Sequence, residues 1–236
     1  MKLSIIIPVF NEEKTISQVL DAVFKIKIQE SISKEIIVIN DCSTDNTGKI
    51  LKNYIKKGII YKRHEKNSGK GAAIKTGLLS ATGQFVIIQD ADLEYNPIFY
   101  KKLLSYVLEK KNQVVYGSRL INYPLKLWGK NKTVLPTHLL ANKFLTFMTN
   151  ILYGGNLTDM ETGYKLFLKK ILDQLNLKSN GFDFEAEVSA KILKNKIPIK
   201  EVAISVTPRT YQEGKKIGWQ DGIIAVWTLI KYKFVD

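Results

Sequence analysis

Cysteine is almost absent from this chain: one residue, Cys42, in 236. A single thiol excludes an internal disulfide framework and a multi-cysteine metal site, and makes a reducing cytoplasm the simplest setting. Histidine is nearly as scarce, and His64 and His138 lie far apart without ligand spacing around either, so no zinc site is expected. Long apolar runs are missing too. The longest late one, Ile223 to Ile230 with Thr228 inside it, is less than half of the ~20 residues that a bilayer-spanning helix needs. The opening run, Met1 to Pro8, is too short for a secretory signal and lacks a small-residue cleavage site, so it reads as a strand. Acidic residues are the minority charge: 22 Asp and Glu face 36 Lys and Arg, a net charge of +14. That excess favours an anionic partner, whether nucleic acid, anionic lipid or a phosphorylated substrate. No RNP, zinc-finger or homeodomain pattern accompanies it, which argues against nucleic acid.

What the chain does have is alternation. Leu3–Ile7, Glu35–Ile39, Ile59–Arg63, Phe85–Gln89 and Gln113–Tyr116 are short, nearly continuous apolar runs, and the segments between them carry helical spacing. Such runs predict a mostly parallel sheet covered on both faces, the doubly wound α/β class. Expected helices span Glu12–Lys25, Asp45–Lys56, Lys70–Ala81 and Pro97–Lys110, the last opened by Asn96-Pro97. After Gly117 the alternation stops. A polar stretch from Ser118 to Pro136 reads as a long loop. Helices over Leu135–Tyr153, Phe182–Leu193 and Gly218–Tyr232, with strands over Tyr164–Phe167 and Ile199–Thr207, complete the expectation of one continuous domain.

The chemistry concentrates at strand ends. Gln89-Asp90-Ala91-Asp92-Leu93-Glu94 follows the run Phe85–Ile88, and in an open α/β sheet ligands bind at the carboxyl ends of strands. Carboxylates there suit a hard divalent cation, which needs only one or two protein ligands when it bridges phosphates. The same residues also suit a solvated turn. Two further strand ends carry polar clusters, Pro8-Val9-Phe10-Asn11-Glu12 and Asn40-Asp41-Cys42-Ser43-Thr44-Asp45. Asn67-Ser68-Gly69-Lys70-Gly71 opens a helix whose amides and lysine could meet anionic groups, although the spacing is not that of a Walker A loop.

In order and spacing these pieces, together with Gly117-Ser118-Arg119, Asp159–Phe167, Pro208-Arg209 and Gly214-Lys215-Lys216, resemble the inverting GT-A glycosyltransferases of family 2. Within that family the resemblance is to the branch of dolichyl-phosphate mannose synthases and polyprenyl-phosphate glucosyltransferases, and it covers nearly the whole chain. It implies a Rossmann-like GT-A domain over residues 1–236, with a nucleotide-sugar-binding half (1–117) and an acceptor-side half (118–236). Pro8, Val9, Glu12 and Asp41 would lie around the nucleoside. Asp90 and Asp92 would lie near the phosphates and, with Glu94, hold Mg²⁺ or Mn²⁺, Asp92 being the main ligand and Glu94 standing where relatives often carry glutamine. Lys70 and Lys215 would help bind the donor. Arg119, Arg209 and Lys216 would act in catalysis, the last two from a basic loop (207–218) over the diphosphate. Asn40 and Cys42 depart from the family's usual aspartate and glycine.

The implied reaction is an in-line displacement at the anomeric carbon, from a UDP- or GDP-linked hexose to a lipid phosphate. A glycan, protein or small-molecule hydroxyl is the alternative acceptor. A hydroxyl would need a carboxylate base, and Asp159 is the first candidate, ahead of Glu161 and of Asp183, Glu185 and Glu187. Apolar stripes at Leu139-Leu140, Phe144-Leu145, Phe147-Met148 and Ile151-Leu152, and at Trp219, Ile223, Val226-Trp227 and Ile230, suit core packing. With Lys231, Tyr232 and Lys233 nearby, the C-terminal amphipathic helix also suits an anionic membrane surface. The expectation is a peripheral enzyme on the cytoplasmic face, held by surface attraction or by a separate membrane partner.

Overall fold

The computed structural model describes residues 1–121, 136–209, 216 and 218–235. Seven strands form one sheet: β1 (Lys2–Val9), β2 (Ser33–Asn40), β3 (Ile60–Arg63), β4 (Phe85–Ile88), β5 (Val114–Ser118), β6 (Lys165–Leu168) and β7 (Ile199–Ala203). Their order is β3-β2-β1-β4-β6-β5-β7. All the pairings are parallel except those of β6, which runs antiparallel to both neighbours. The mostly parallel sheet expected from the apolar runs is therefore present, with one inverted strand.

Alternating side chains supply the two faces. Ile5, Ile7, Val38 and Ile87 join one core with α1 (Ile16–Lys25), α2 (Thr47–Ile55) and α4 (Tyr100–Leu108). Ile6, Ile37, Ile39, Val86 and Ile88 join the other with α3 (Lys70–Ser80), α6 (Lys169–Gln174) and α7 (Phe184–Lys194). This is the period-two logic of a strand buried on both sides. A third cluster forms where α5 (Pro136–Tyr153) and α8 (Trp219–Phe234) pack on each other and on α7, with Ile199 of β7 against it. Each apolar stripe splits there. Leu145 and Leu229 are buried, whereas Leu140, Phe144, Phe147 and Ile151 on α5 and Trp219, Ile223 and Trp227 on α8 are exposed. No helix among the described residues is long and apolar enough to cross a membrane.

The topology gathers the chemistry at one edge. β1, β2 and β4 are parallel, so Val9, Asn40 and Gln89 leave the sheet on the same side. Because β6 is inverted, its entrance at Thr162–Tyr164 meets the exits of β4 and β5. Much of the loop expected over Ser118–Pro136 lies outside the described residues, as does Lys215.

Candidate active site

A cavity of about 840 Å³ opens at this edge. Pro8 and Val9 from β1, Asp41 after β2 and the Asp90-Ala91-Asp92 turn after β4 line it, with Glu12, Lys70, Glu94, Arg119, Arg209 and Lys216. Parts of the sequence that are distant in number thus converge as the motif reading requires. Asp159 is the exception.

The acids of this cavity are mostly paired. Glu12 begins a tight turn before α1, its amide donating to Thr47 Oγ1 at 2.9 Å. Its carboxylate receives Arg209 Nη2 and Lys216 Nζ at 2.8 Å each and Thr15 Oγ1 at 2.7 Å. Burial pushes that carboxyl up, but the bonds from Arg209 and Lys216 outweigh it and hold the group below the usual range. Glu12 therefore acts here as the clamp of two basic residues rather than as a free nucleoside contact. Arg209 also donates from Nε to the carbonyl of Asp92 at 2.7 Å, and its amide donates to Glu94 Oε1 at 2.9 Å.

Asp41 sits 2.6 Å from His64 Nδ1 and accepts the amides of Ser68 (2.9 Å) and Gly69 (2.7 Å). His64, a residue without ligand spacing in the sequence, thus braces this strand end and reaches Thr76 Oγ1 with its other nitrogen at 2.9 Å. The start of α3 departs from expectation. Gly69 has φ of 93°, and a Cβ on it would collide with the carbonyl of Asn180. The amides of Gly71 and Ala72 already donate to the carbonyls of Gly181 and Asn180, at 3.2 and 3.0 Å. That helix terminus is built against another backbone segment, so these amides do not form an open anion cradle.

Lys70 instead points to acids: Asp90 Oδ1 at 2.7 Å and Glu185 Oε1 at 3.2 Å. Burial alone would push its ammonium down, but the two carboxylates hold it well above its ordinary value. Glu185 bonds Lys165 Nζ at 2.7 Å as well, and Lys165 is fully buried. Glu185 belongs to the group ranked below Asp159 in the sequence, yet it lines the cavity. Asp183 and Glu187 serve the backbone instead, accepting Gly181 N at 3.1 Å and Ser179 N at 2.7 Å.

Asp92 has no ion pair among the described residues, although the charge of Arg209 partly relieves it. Burial, then the neighbouring Asp90 and Glu94 carboxylates, push it up to about 7. Among the described residues no group of three or more His, Cys, Asp and Glu is arranged to hold a metal.

Asp159, expected to face the acceptor, is fully buried and does not line the cavity. It accepts three bonds from Arg119: the amide at 2.9 Å, Nε at 2.7 Å and Nη2 at 2.8 Å. The fork of a guanidinium matches both oxygens of a carboxylate, which leaves little for a substrate. Arg119 is the member of this pair that reaches the cavity.

Residues 4–175 match the family described as Glycosyl transferase family 2. The chain belongs to that family. It is 31% identical over 221 residues to the dolichyl-phosphate beta-glucosyltransferase of Dictyostelium discoideum, covering 87% of this chain and 66% of that protein. It is 30% identical over 250 residues to the UDP-N-acetylglucosamine–dolichyl-phosphate N-acetylglucosaminyltransferase of Methanococcus voltae, covering 97% of this chain and 95% of that one. Glucosyl-3-phosphoglycerate synthase from Mycobacterium tuberculosis, solved with Mn²⁺, UDP and phosphoglyceric acid, has a TM-score of 0.71 at 21% identity, over 100% of this chain and 79% of that one. The last likeness is one of fold, and the fold of this family 2 member is GT-A.

One position in the site is set by the absence of a side chain. A Cβ on Gly163 would overlap the Asp90 carboxylate, so glycine here lets that carboxylate keep its place in this family 2 chain. Gly163→Ala is expected to displace Asp90 from Lys70 and lower turnover at least about tenfold, the scale of a small misplacement in an active site. Steady-state kinetics beside a melting curve checks this, and a variant with wild-type turnover contradicts it.

Proposed function

We propose that this chain transfers a hexose from a UDP- or GDP-linked donor to a polyprenyl phosphate, inverting the anomeric centre. The observation that carries this reading is one cavity in which Asp90 and Asp92 at a strand end meet Arg119, Arg209 and Lys216 from distant segments. The names of the dolichyl-phosphate transferases it resembles supply the acceptor class.

Asp92 suits a divalent ion, Mg²⁺ or Mn²⁺. It is an oxygen donor whose charge is opposed by Asp90 and Glu94 and is only partly relieved by protein cations. An ion that completes its shell with diphosphate oxygens and water needs no three-residue cage. When bound, such an ion neutralises charge on the departing nucleotide. Asp92 would hold it, Asp90 being paired with Lys70. Arg209 and Lys216, gripped by Glu12, would stabilise the leaving diphosphate from the other side of the charge balance. A lipid phosphate is already ionised at neutral pH and needs no strong base, which agrees with a buried Asp159.

The acceptor would arrive along α5 and α8. Both helices line the cavity, through Ala141 and Leu145 on one and Gly222 and Ala225 on the other, and both carry exposed apolar stripes. Exposed Lys143, Lys231 and Lys233 beside those stripes suit an anionic leaflet. A nucleotide sugar carries charge that does not cross a bilayer unaided, so we assign the reaction to the cytoplasmic face.

The test is product analysis. Labelled UDP- and GDP-sugars are incubated with the protein, Mg²⁺ or Mn²⁺, and either polyprenyl phosphate in anionic vesicles or soluble glycans. Label in the lipid fraction is expected. Label confined to soluble product rejects the lipid acceptor, and vesicle binding only when a second membrane protein is supplied points to a separate anchor.

A further inference from the structure

Among the described residues, the acids lining the cavity have partners, with one exception. Glu161 borders it, and its Oε1 is buried with no hydrogen-bond partner. Glu185 Oε1 shares the second property only by hydrogen-bond geometry, because Lys70 Nζ stands 3.2 Å from it. A buried polar atom without a partner costs free energy, and native proteins rarely keep one unless something arrives to satisfy it.

The nearby cations do not supply the missing bond. An ammonium has three donors, and those of Lys165 go to Met160 O, Thr162 O and Glu185 Oε2. Arg119 is forked onto Asp159. Burial pushes the Glu161 carboxyl up to about 7, with Lys165 and Arg119 favouring its charge and Glu185 and Asp159 opposing it. A phosphate oxygen brings no proton for this acceptor, and it has the basic group of Arg209 and Lys216 elsewhere in the cavity. What fits is a neutral donor of O–H or N–H bonds.

Position narrows the choice. Glu161 lies two residues before Gly163, whose backbone abuts the Asp90 carboxylate. It is therefore at the β4–β6 side of the edge, beyond Asp90 from the β1–β2 side where Val9 and Asp41 stand. In a nucleotide sugar with its nucleoside near β1–β2 and its diphosphate near Asp92, the part that reaches β6 is the hexose.

We propose that Glu161 is a sugar-recognition residue, whose buried carboxyl oxygen accepts a hydrogen bond from a hydroxyl or acetamido N–H of the transferred hexose. This rests on the donor reading given above. It adds that sugar selectivity resides in the turn before β6, apart from the carboxylates that meet the diphosphate.

The test uses Glu161→Gln and Glu161→Met in the full chain. Calorimetry with Mg²⁺ gives dissociation constants for UDP, UDP-glucose, UDP-N-acetylglucosamine, GDP and GDP-mannose, and melting curves are recorded without ligand. For the preferred nucleotide, the ratio of the sugar-nucleotide constant to the bare-nucleotide constant is expected to rise about tenfold in Glu161→Met and less in Glu161→Gln, the scale of one buried hydrogen bond. Bare-nucleotide affinity should stay within about twofold. The ligand-free variants should melt no lower than wild type, because an unpaired acid has been removed; a purely structural residue would show the reverse. A ratio within twofold of wild type overturns the proposal, whatever the melting temperature. Wild-type protein that binds none of the five compounds removes the donor reading and this proposal with it, a result distinct from an unchanged ratio.

Discussion

Asp92→Asn is expected to lower sugar transfer by about a thousandfold while leaving the fold intact and more stable without ligand. The rate loss follows from what the residue is placed to do. It is a strand-end carboxylate opposed by Asp90 and Glu94 and only partly relieved by Arg209, and stabilisation of developing charge in a dry site is usually the largest single catalytic contribution, about 10²–10³ for one hydrogen-bond donor and more where an ion is lost. The gain in stability follows from the same geometry. In the folded chain the Asp92 carboxyl is pushed up to about 7 from an ordinary value of 3.8, by burial and by Asp90 and Glu94. Below pH 4 the group is protonated folded or unfolded and contributes nothing. Between about 4 and 7 the unfolded chain releases its proton first, so stability falls as pH rises, and above 7 the full penalty is present. Asparagine carries no such proton. Melting curves from pH 4 to 8 should show a decline for wild type that is shallower in the variant, with a gain at pH 8 of a few degrees. Mg²⁺ with UDP or GDP should raise the wild-type melting temperature and fail to raise that of Asp92→Asn. A variant that keeps wild-type turnover removes Asp92 from the site.

Much of this arrangement is legible in the sequence. β1, β2 and β4 carry runs of isoleucine and valine, and the alternation of strands with helices sets which of their ends share an edge. Orientation was not legible. The first helix was expected from Glu12, but α1 starts at Ile16 because Glu12 to Thr15 form a turn that aims the Glu12 carboxylate at Arg209 and Lys216, about two hundred positions away. The inversion of β6 left no periodic signal in four residues, and six-residue α6 was too short to show one. Among Asp159, Glu161 and Glu185 the sequence displays three carboxyls of similar standing. Which of them is consumed by Arg119, which is paired with Lys165 and Lys70 and which is left without a partner beside the cavity depends on residues from 20 to more than 100 positions distant. His64 is the same case, since its bond to Asp41 spans 23 positions.

The pair formed by Asp159 and Arg119 separates two roles for an acid that proximity alone confuses. As a base toward a hydroxyl acceptor, Asp159 would lose turnover on conversion to asparagine at little cost in stability. As the anchor of Arg119 it behaves otherwise. Its carboxylate is fully buried and holds the largely buried guanidinium by two side-chain bonds and the Arg119 amide by a third. Its own amide and that of Thr158 are fixed by Glu201 at 2.9 and 2.7 Å, which ties the turn to β7. Removing one partner of such a pair leaves an uncompensated charge, at a cost of about 3–5 kcal/mol. Asp159→Ala is accordingly expected to lower the melting temperature by roughly 10 °C, and Asp159→Asn by less, with loss of activity that tracks the displacement of Arg119. The double variant Asp159→Leu with Arg119→Met should recover most of the stability, because neither charge then remains to be paired, but not the turnover, because the cation that faces the cavity is gone. Stability unchanged in Asp159→Ala, with turnover abolished and its dependence on pH altered, would return Asp159 to the role of base and reopen the case for a hydroxyl acceptor.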